Sequence, residues 1–358
     1  MITVKDVARQ AGVSPGTVSN VLTGNRPVSE ATRRRVLQTA EALGYQPNIL
    51  ARSLINRRSE ALAVVTFGLD YFGPSQTLLG IEQESNGLGY SLLLSLLHRP
   101  DTSRVSDELA LLSSRRVDGI VWAVPEIGDN RSWVSPDRLA QLPPIVFLSM
   151  SPRPDLPVVA ADNRMGAFMA AAHLAATGRR AVGLITGPEP WWESQERRAG
   201  WRQALLQAGL PADDSLVAGG DWSARSGERA LCSLLEQHPG IDAAFASNDQ
   251  MALGAMRVAH QLGRRIPDDL AVAGFDNTSE SAYFWPSLTT VDQRLAEVGR
   301  LAVRELHNII TARQTGQSSP EPGPLLLAPE LLVRDSSAPH RDRDSRELAD
   351  AVLESERR

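Results

Sequence analysis

Four residues of this sequence stand at the ends of short apolar runs with side chains suited to hydroxyl groups: Arg197 in "ERRAGW", Trp222 in "GGDWSARSG", Asn248 in "ASNDQMALGAMR" and Asp276 in "AGFDNT". A guanidinium fork, an amide and a carboxylate supply donors and acceptors for hydroxyls, and an indole covers the C–H face of a small ring. Together they suit a small polyhydroxylated ring. Singly, each has a plainer account: a tryptophan packs a core, an arginine is a solvated charge, and Asp276 caps a helix.

A second chemistry is written in "VKDVARQAGVSPGTVSNVLTGNRPVSEATRRRVLQTAEALGYQPN". Thr3, with Asp6 in the capping-box position, opens a helix whose Val4, Val7, Ala8 and Ala11 share one face, and Gly12 ends it. Ser14 is placed to cap a second helix with Pro15 at its first position, where a missing N–H is harmless. Val18, Val21 and Leu22 form its apolar stripe. Ser29 begins a third helix, with Val36, Leu37, Ala40 and Leu43 expected inward, Arg33, Arg34 and Arg35 outward, and Gly44 as the stop. Two short helices joined by a tight turn and closed by a third make a helix-turn-helix unit, whose second helix enters the DNA major groove by its N-terminal residues. The Pro15–Gly16 pair presents little side chain there. The backbone can approach the bases closely, and hydrogen bonding falls to Ser14, Asn20 and Arg26. Thr3, Thr17, Ser19 and Ser29 complete the residues expected to face DNA. A small bundle for protein contacts is the plainer alternative.

The elements between these two chemistries are legible as alternation. The runs "ALAVVTF", "YSLLLSLL", "GIVWAV", "PIVFLSM", "AVGLIT", "DAAFAS", "LAVAGF" and "SLTTV" are separated by helical stretches, which predicts parallel sheets with helices on both faces. Ten or so strands exceed one sheet. The expected fold is therefore an N-terminal all-α headpiece followed by an α/β body of two doubly wound lobes, with a ligand outside the strand carboxyl ends. The boundaries drawn are a headpiece over 1–46, a hinge and linker over 47–60, a two-lobed body over 61–335 and an acidic tail over 336–358.

Composition bounds the function. Residues 1–60 hold nine Arg and Lys against four Asp and Glu, whereas the remainder holds 28 against 38. A basic head on an acidic body points to a polyanion as the head's partner. No apolar run reaches the roughly 18 residues of a membrane span and no signal-peptide segment opens the chain, so the cytoplasm is the expected location. Cys232 is the single cysteine, which excludes an internal disulfide framework and a multi-cysteine zinc site. No Walker loop or HExxH is present, so an enzyme is not expected, and neither is a cofactor or a metal.

The segments "VKDVARQAGVSPGTVSNVLTG" and "GYQPNILARSL" resemble the headpiece and hinge helix of the lac repressor (LacI/GalR) family of sugar-responsive transcriptional regulators. The segment 48–56 is too short to be helical alone in water. The resemblance implies that paired hinge helices of a homodimer fold against the minor groove, that Leu54 wedges between base pairs and kinks the duplex, and that Ala51 and Arg52 lie at minor-groove and backbone positions.

The body is similar to the family's periplasmic-binding-protein-like effector domain through "FGPSQTLLGIEQ", "LITGPEP", "RRAGW", "GDWSARSG", "SNDQMALGAMR", "AGFDNT" and "PSLTTVDQ". The resemblance implies that Arg197, Asn248 and Asp276 hydrogen-bond a sugar, that Trp222 stacks on it and that Gln293 assists. The opposite lip departs from the pattern. Phe67, Ala123 and Ser149 stand where polar contacts are expected, Tyr71 replaces an aliphatic contact and Leu295 an aromatic one, so a sugar is implied without fixing a galactoside. The tail, with Leu348, Val352 and Leu353 in a short helical pattern, has too few heptads for a tetramerising coiled coil and is expected to be solvated.

A solute-binding protein would share the two-lobed body but would have no use for a basic head. The expected function is a repressor released from double-stranded operator DNA by a small sugar, with a corepressor-dependent or activating regulator as the alternative. Leu54→Ala is expected to weaken operator binding by at least tenfold while changing non-specific binding little, because a wedge acts only on a kinked site. Titrations of operator and scrambled duplexes at one salt concentration measure the difference; equal losses on both would remove the wedge.

Overall fold

Asp6 fixes where the chain first becomes helical. Its carboxylate accepts both the backbone N–H of Thr3 (3.0 Å) and the Thr3 hydroxyl (2.7 Å), and α1 (Val4–Ala11) runs from there to Gly12, left-handed at φ 64°. Ser14 Oγ accepts the Thr17 N–H (3.1 Å) at the start of α2 (Pro15–Thr23), and Ser29 Oγ accepts the Thr32 N–H (3.4 Å) at the start of α3 (Glu30–Ala42). Val7, Ala8, Ala11, Val18, Val21, Val36 and Ala40 close a small core. Leu37, expected inward, is 44% exposed. Val36 and Ala40 lie one turn apart and fill the face that meets α1 and α2, leaving Leu37 rotated about 100° away from it.

The computed structural model describes residues 2–23, 26–45, 58–101, 103–317 and 322–338. The hinge positions Ala51, Arg52 and Leu54, and the tail pattern of Leu348, Val352 and Leu353, lie outside them. The chain divides into two compact units, Met1–Ala61 with Arg116–Asp118, and Leu62–Arg115 with Gly119–Arg358.

The second unit carries two lobes. In the N-lobe, β1 (Ala61–Phe67), β3 (Gly119–Ala123), β4 (Ile145–Leu148) and β5 (Val158–Ala161) are Val-, Ile- and Ala-rich runs buried along nearly their whole length. This is the pattern of parallel strands covered on both faces. With β2 (Ser91–Leu97) and β11 (Pro324–Leu327) at the edges, the sheet order is β11-β5-β4-β3-β1-β2. In the C-lobe, β6 (Val182–Thr186), β7 (Val217–Gly219), β8 (Ala243–Ala246) and β9 (Ala271–Ala273) form an all-parallel sheet in the order β7-β6-β8-β9. The "SLTTV" run departs from expectation. Its strand β10 (Thr290–Asp292) pairs antiparallel with β12 (Glu330–Leu332), because both lie where the chain passes between the lobes.

The helices, in chain order, are α4 (Phe72–Gly87), α5 (Val105–Ser114), α6 (Pro136–Leu139), α7 (Asn163–Ala176), α8 (Trp192–Gln207), α9 (Ala224–Gln237), α10 (Asp249–Gln261) and α11 (Leu295–Thr315). The chain crosses between lobes after β5, after β10 and after β11. At one crossing the Asp162 N–H donates to the Leu327 carbonyl (3.0 Å). The body also runs past the expected boundary at 335. Ser336 and Ser337 are fully buried, Ser336 Oγ bridges the Thr289 N–H (2.8 Å) and the Val272 carbonyl (2.7 Å), and Ser337 Oγ bonds His173 (2.8 Å). A serine pair that looks like linker composition is here the polar plug of the C-lobe.

Helices α4 and α11 approach backbone to backbone. A Cβ on Gly299 would stand 2.2 Å from the Thr77 carbonyl oxygen, and one on Gly80 would stand 1.9 Å from that of Ala296. Gly299→Ala is therefore expected to destabilise the body by about 1–3 kcal/mol through overpacking. Urea unfolding measures it, and an unchanged midpoint would refute the close approach.

Candidate functional site

A cavity of about 640 Å³ lies between the two lobes of the second unit. Its walls come from the segments that follow β1, β3, β4, β6, β7, β8 and β9, at the carboxyl ends of both sheets, where doubly wound folds bind ligands.

Arg197, on α8, is the cavity's anchor and only 5% exposed. Its Nε donates to Asn163 Oδ1 (2.8 Å), Nη1 to the Ser247 carbonyl (2.5 Å) and Nη2 to Gln293 Oε1 (3.2 Å). Asn163 and Gln293 flank two of the lobe crossings, so one side chain ties the C-lobe to both. The guanidinium carbon lies 3.9 Å above the Phe275 ring, and Asp276 Oδ1 is 4.0 Å from Nη1. Gln293 Nε2 in turn donates to Asp276 Oδ1 (2.5 Å). Burial pushes the Asp276 carboxyl up to about 7, against the pull of Arg197, and pushes the Arg197 guanidinium down. Burial likewise pushes Glu193 up to about 7, one helical turn before Arg197.

Asn248 sits at the cap of α10. Its Oδ1 accepts the Met251 N–H (2.8 Å) and its Nδ2 donates to the Trp222 carbonyl (2.9 Å), so it fixes the tryptophan it was expected to work beside. The Trp222 ring lies against Gly187, where a Cβ would come within 2.2 Å of it, and the Arg197 guanidinium is 5.5 Å from its ring centre. Trp222 (φ 72°), Asp276 (φ 124°) and Ser149 (φ 50°) hold left-handed backbone at the cavity wall. Such strain in non-glycine residues, about 1–3 kcal/mol each, concentrates at functional sites.

The structure thus brings Arg197, Trp222, Asn248, Asp276, Gln293 and Tyr71 to one cavity. Phe67 is not among its lining residues: it ends β1, and the chain beyond it carries Tyr71 to the wall instead. Ala123, Ser149 and Leu295 do line it. Sequence inspection missed Asn163, Trp191 and Glu193. The signal available was "PWWESQER", where Glu193 and Arg197 share a helical face and the paired tryptophans follow a strand.

In the first unit, Ser14, Pro15, Gly16, Arg26, Ser29 and Thr3 are exposed and Thr17, Ser19 and Asn20 half-buried. Thr3, Ser14 and Ser29 spend their hydroxyls on helix starts, and the Ser14 and Thr17 hydroxyls also share a hydrogen bond (2.9 Å).

Residues 3–48 match the family model described as bacterial regulatory proteins, lacI family, and residues 171–337 that of the periplasmic binding protein-like domain. The HTH-type transcriptional regulator CelR of Thermobifida fusca is 33% identical over 347 residues, 93% of this chain and 98% of CelR. The chain belongs to the LacI family. It is a transcriptional regulator of that family, and its relatives are regulators rather than enzymes. Among solved structures, the CelR–cellobiose complex matches at 32% identity with TM-score 0.68, over 94% of this chain and 100% of that one. The lac repressor dimer bound to operator and the anti-inducer ONPF matches at 30% identity with TM-score 0.83, over 94% and 99%. Among the described residues no helix is long and apolar enough to cross a membrane.

Asp276 holds a proton in the folded state that the unfolded chain releases near the ordinary carboxylate value of about 3.9. The stability this gives is complete below about pH 4 and is lost as pH rises through about 7. Asp276→Asn removes that dependence. The difference in Tm between variant and wild type, both ligand-free, is expected to rise in the variant's favour between pH 5 and pH 8. A difference that stays flat or falls would show that the carboxyl is not held protonated.

Proposed function

We propose that this chain is a cytoplasmic repressor whose homodimer binds a pseudo-palindromic operator through two headpieces and releases it when a small sugar occupies the cleft between the lobes. One observation carries the sugar half: a buried guanidinium, carboxyl and amide, Arg197, Asp276 and Gln293, line one cavity together with an indole, Trp222, at the strand ends of two lobes. Convergent polar groups beside an aromatic side chain are what a sugar ring requires. The sugar bound by CelR agrees with this.

The DNA half rests on charge and exposure. Residues 1–60 carry a surplus of five positive charges over an otherwise acidic chain. Arg33, Arg34 and Arg35 are exposed, and the Pro15–Gly16 start of α2 is open to a base edge or phosphate. Asn20 and Arg26 supply the side-chain readout, and Ala51, Arg52 and Leu54 of the hinge contact the minor groove.

Large exposed apolar side chains support the homodimer. Tyr283 is 88% and Trp285 94% exposed on the C-lobe, and Leu94 is 50% exposed on the edge strand β2. Exposed apolar surface of this kind is what a second copy covers. Ligand favours a closed arrangement of the lobes, which moves the N-lobes of the dimer against each other so that the two hinge segments can no longer pair. Coupling is reciprocal, so operator weakens sugar binding by the factor by which sugar weakens operator.

The test is operator affinity at fixed salt with and without a sugar panel, with sedimentation of the same samples to read the dimer. At least one sugar is expected to weaken operator binding by roughly 5–150-fold, the usual range of such coupling. Asp276→Ala should leave operator affinity within twofold and abolish the response. Affinity unchanged by every sugar sinks the inducer model, affinity raised by one makes the chain a corepressor-dependent regulator, and loss of operator binding in the variant makes Asp276 a folding residue.

A further inference from the structure

Three aromatic rings are in edge-to-face contact on the wall of the cleft, with Trp191 between the other two. Trp222, after β7, meets Trp191 edge to face with ring centres 5.7 Å apart and planes at 71°. Trp191, just before α8, meets Tyr71 of the N-lobe at 5.8 Å and 85°. All three line the cavity. A sugar ring with its polar edge on Arg197 and Asp276 and its C–H face on Trp222 covers one station of this line. A ring held at Trp222 therefore has the Trp191 and Tyr71 side chains next to it on the cavity wall, a second aromatic station.

The backbone at that station joins the lobes. Ile127 and Trp191 form an antiparallel bridge, the Gly128 N–H donates to the Pro190 carbonyl (2.9 Å) and the Trp192 N–H to the Glu126 carbonyl (3.0 Å). Trp191 is therefore held in place by both lobes at once. Beside it on the wall is Glu193, whose buried Oε2 takes no hydrogen bond among the described residues.

The charge inventory restricts the ligand. Asp70, Glu193, Asp221 and Asp276 line the cavity, and Arg197 is the one Arg or Lys among its described lining residues. Each nitrogen of that guanidinium already donates to a protein acceptor. A phosphate group carries a charge of about −1.5 to −2 at neutral pH and would meet Asp70 and Asp221, with Glu193 and Asp276 titrating at about 7, against a single guanidinium whose nitrogens each already donate one hydrogen bond.

We propose that the cleft takes an uncharged disaccharide, its first ring on Trp222 above Arg197 and Asp276 and its second along Trp191 and Tyr71 with Glu193 at its hydroxyls, and that it rejects phosphorylated sugars. This rests on the sugar-responsive reading above and sharpens it.

Calorimetry on the full chain with glucose, galactose, cellobiose, lactose, maltose and glucose 6-phosphate tests it. The tightest disaccharide is expected to bind at least tenfold more tightly than either monosaccharide and than glucose 6-phosphate. Trp191→Ala should cut that preference to threefold or less. Tyr71→Ala removes the other half of the station without touching the backbone bridge, so it reports the same loss where Trp191→Ala fails to fold. A monosaccharide or glucose 6-phosphate binding as tightly as the best disaccharide, or a preference intact in both variants, overturns the proposal and leaves the sugar-responsive reading standing. Failure of every sugar to bind overturns both.

Discussion

A guanidinium taken out of water is tolerated only when neighbouring groups satisfy it, and leaving such a charge without its partners costs about 3–5 kcal/mol. Arg197 imposes that requirement on the whole body of this regulator. Its nitrogens draw in Asn163 from the start of α7, the Ser247 carbonyl from the end of β8 and Gln293 from the crossing after β10. Three separate segments are thus registered on one side chain. Gln293 then orients Asp276, and the Phe275 ring floors the guanidinium from below. The cavity wall is in this sense the solvation shell of a single buried charge.

Because the shell includes residues beside two lobe crossings, the ligand site and the joint between lobes share atoms. A sugar that competes for Asp276 or for Arg197 alters the groups that set how the lobes meet. That is the physical basis on which an occupied cleft can change how the lobes meet. The left-handed backbone at Ser149, Trp222 and Asp276 fits the same picture, since strain survives only where surrounding structure holds it.

The division of charge along the chain separates the two tasks. The headpiece segment carries a surplus of positive charge, whereas four carboxyl groups and a single guanidinium, among the described residues, line the cleft.

The sequence alone determined what depends on near neighbours. Helix starts at Thr3, Ser14 and Ser29 were readable because a cap acts within three residues. The core strands were readable because a strand buried on both faces must be continuously apolar. Trp222, Asn248 and Asp276 were legible because they fall just past strand ends, where such folds bind ligands, and Arg197 joined them through the "RRAGW" resemblance. What tertiary structure decided is which side chains meet across the lobes. Asn163 and Trp191 carry no motif; Asn163 matters because Arg197 reaches it, and Trp191 because Tyr71 comes toward it from the other lobe. Phe67 and Tyr71 differ by four positions, and only the turn beyond β1 assigns one of them to the cavity. Leu37 and the Ser336–Ser337 pair make the same point in reverse. An apolar residue was left outside and a linker-like pair was taken inside, since burial is settled by the partners that long-range packing supplies and not by residue type.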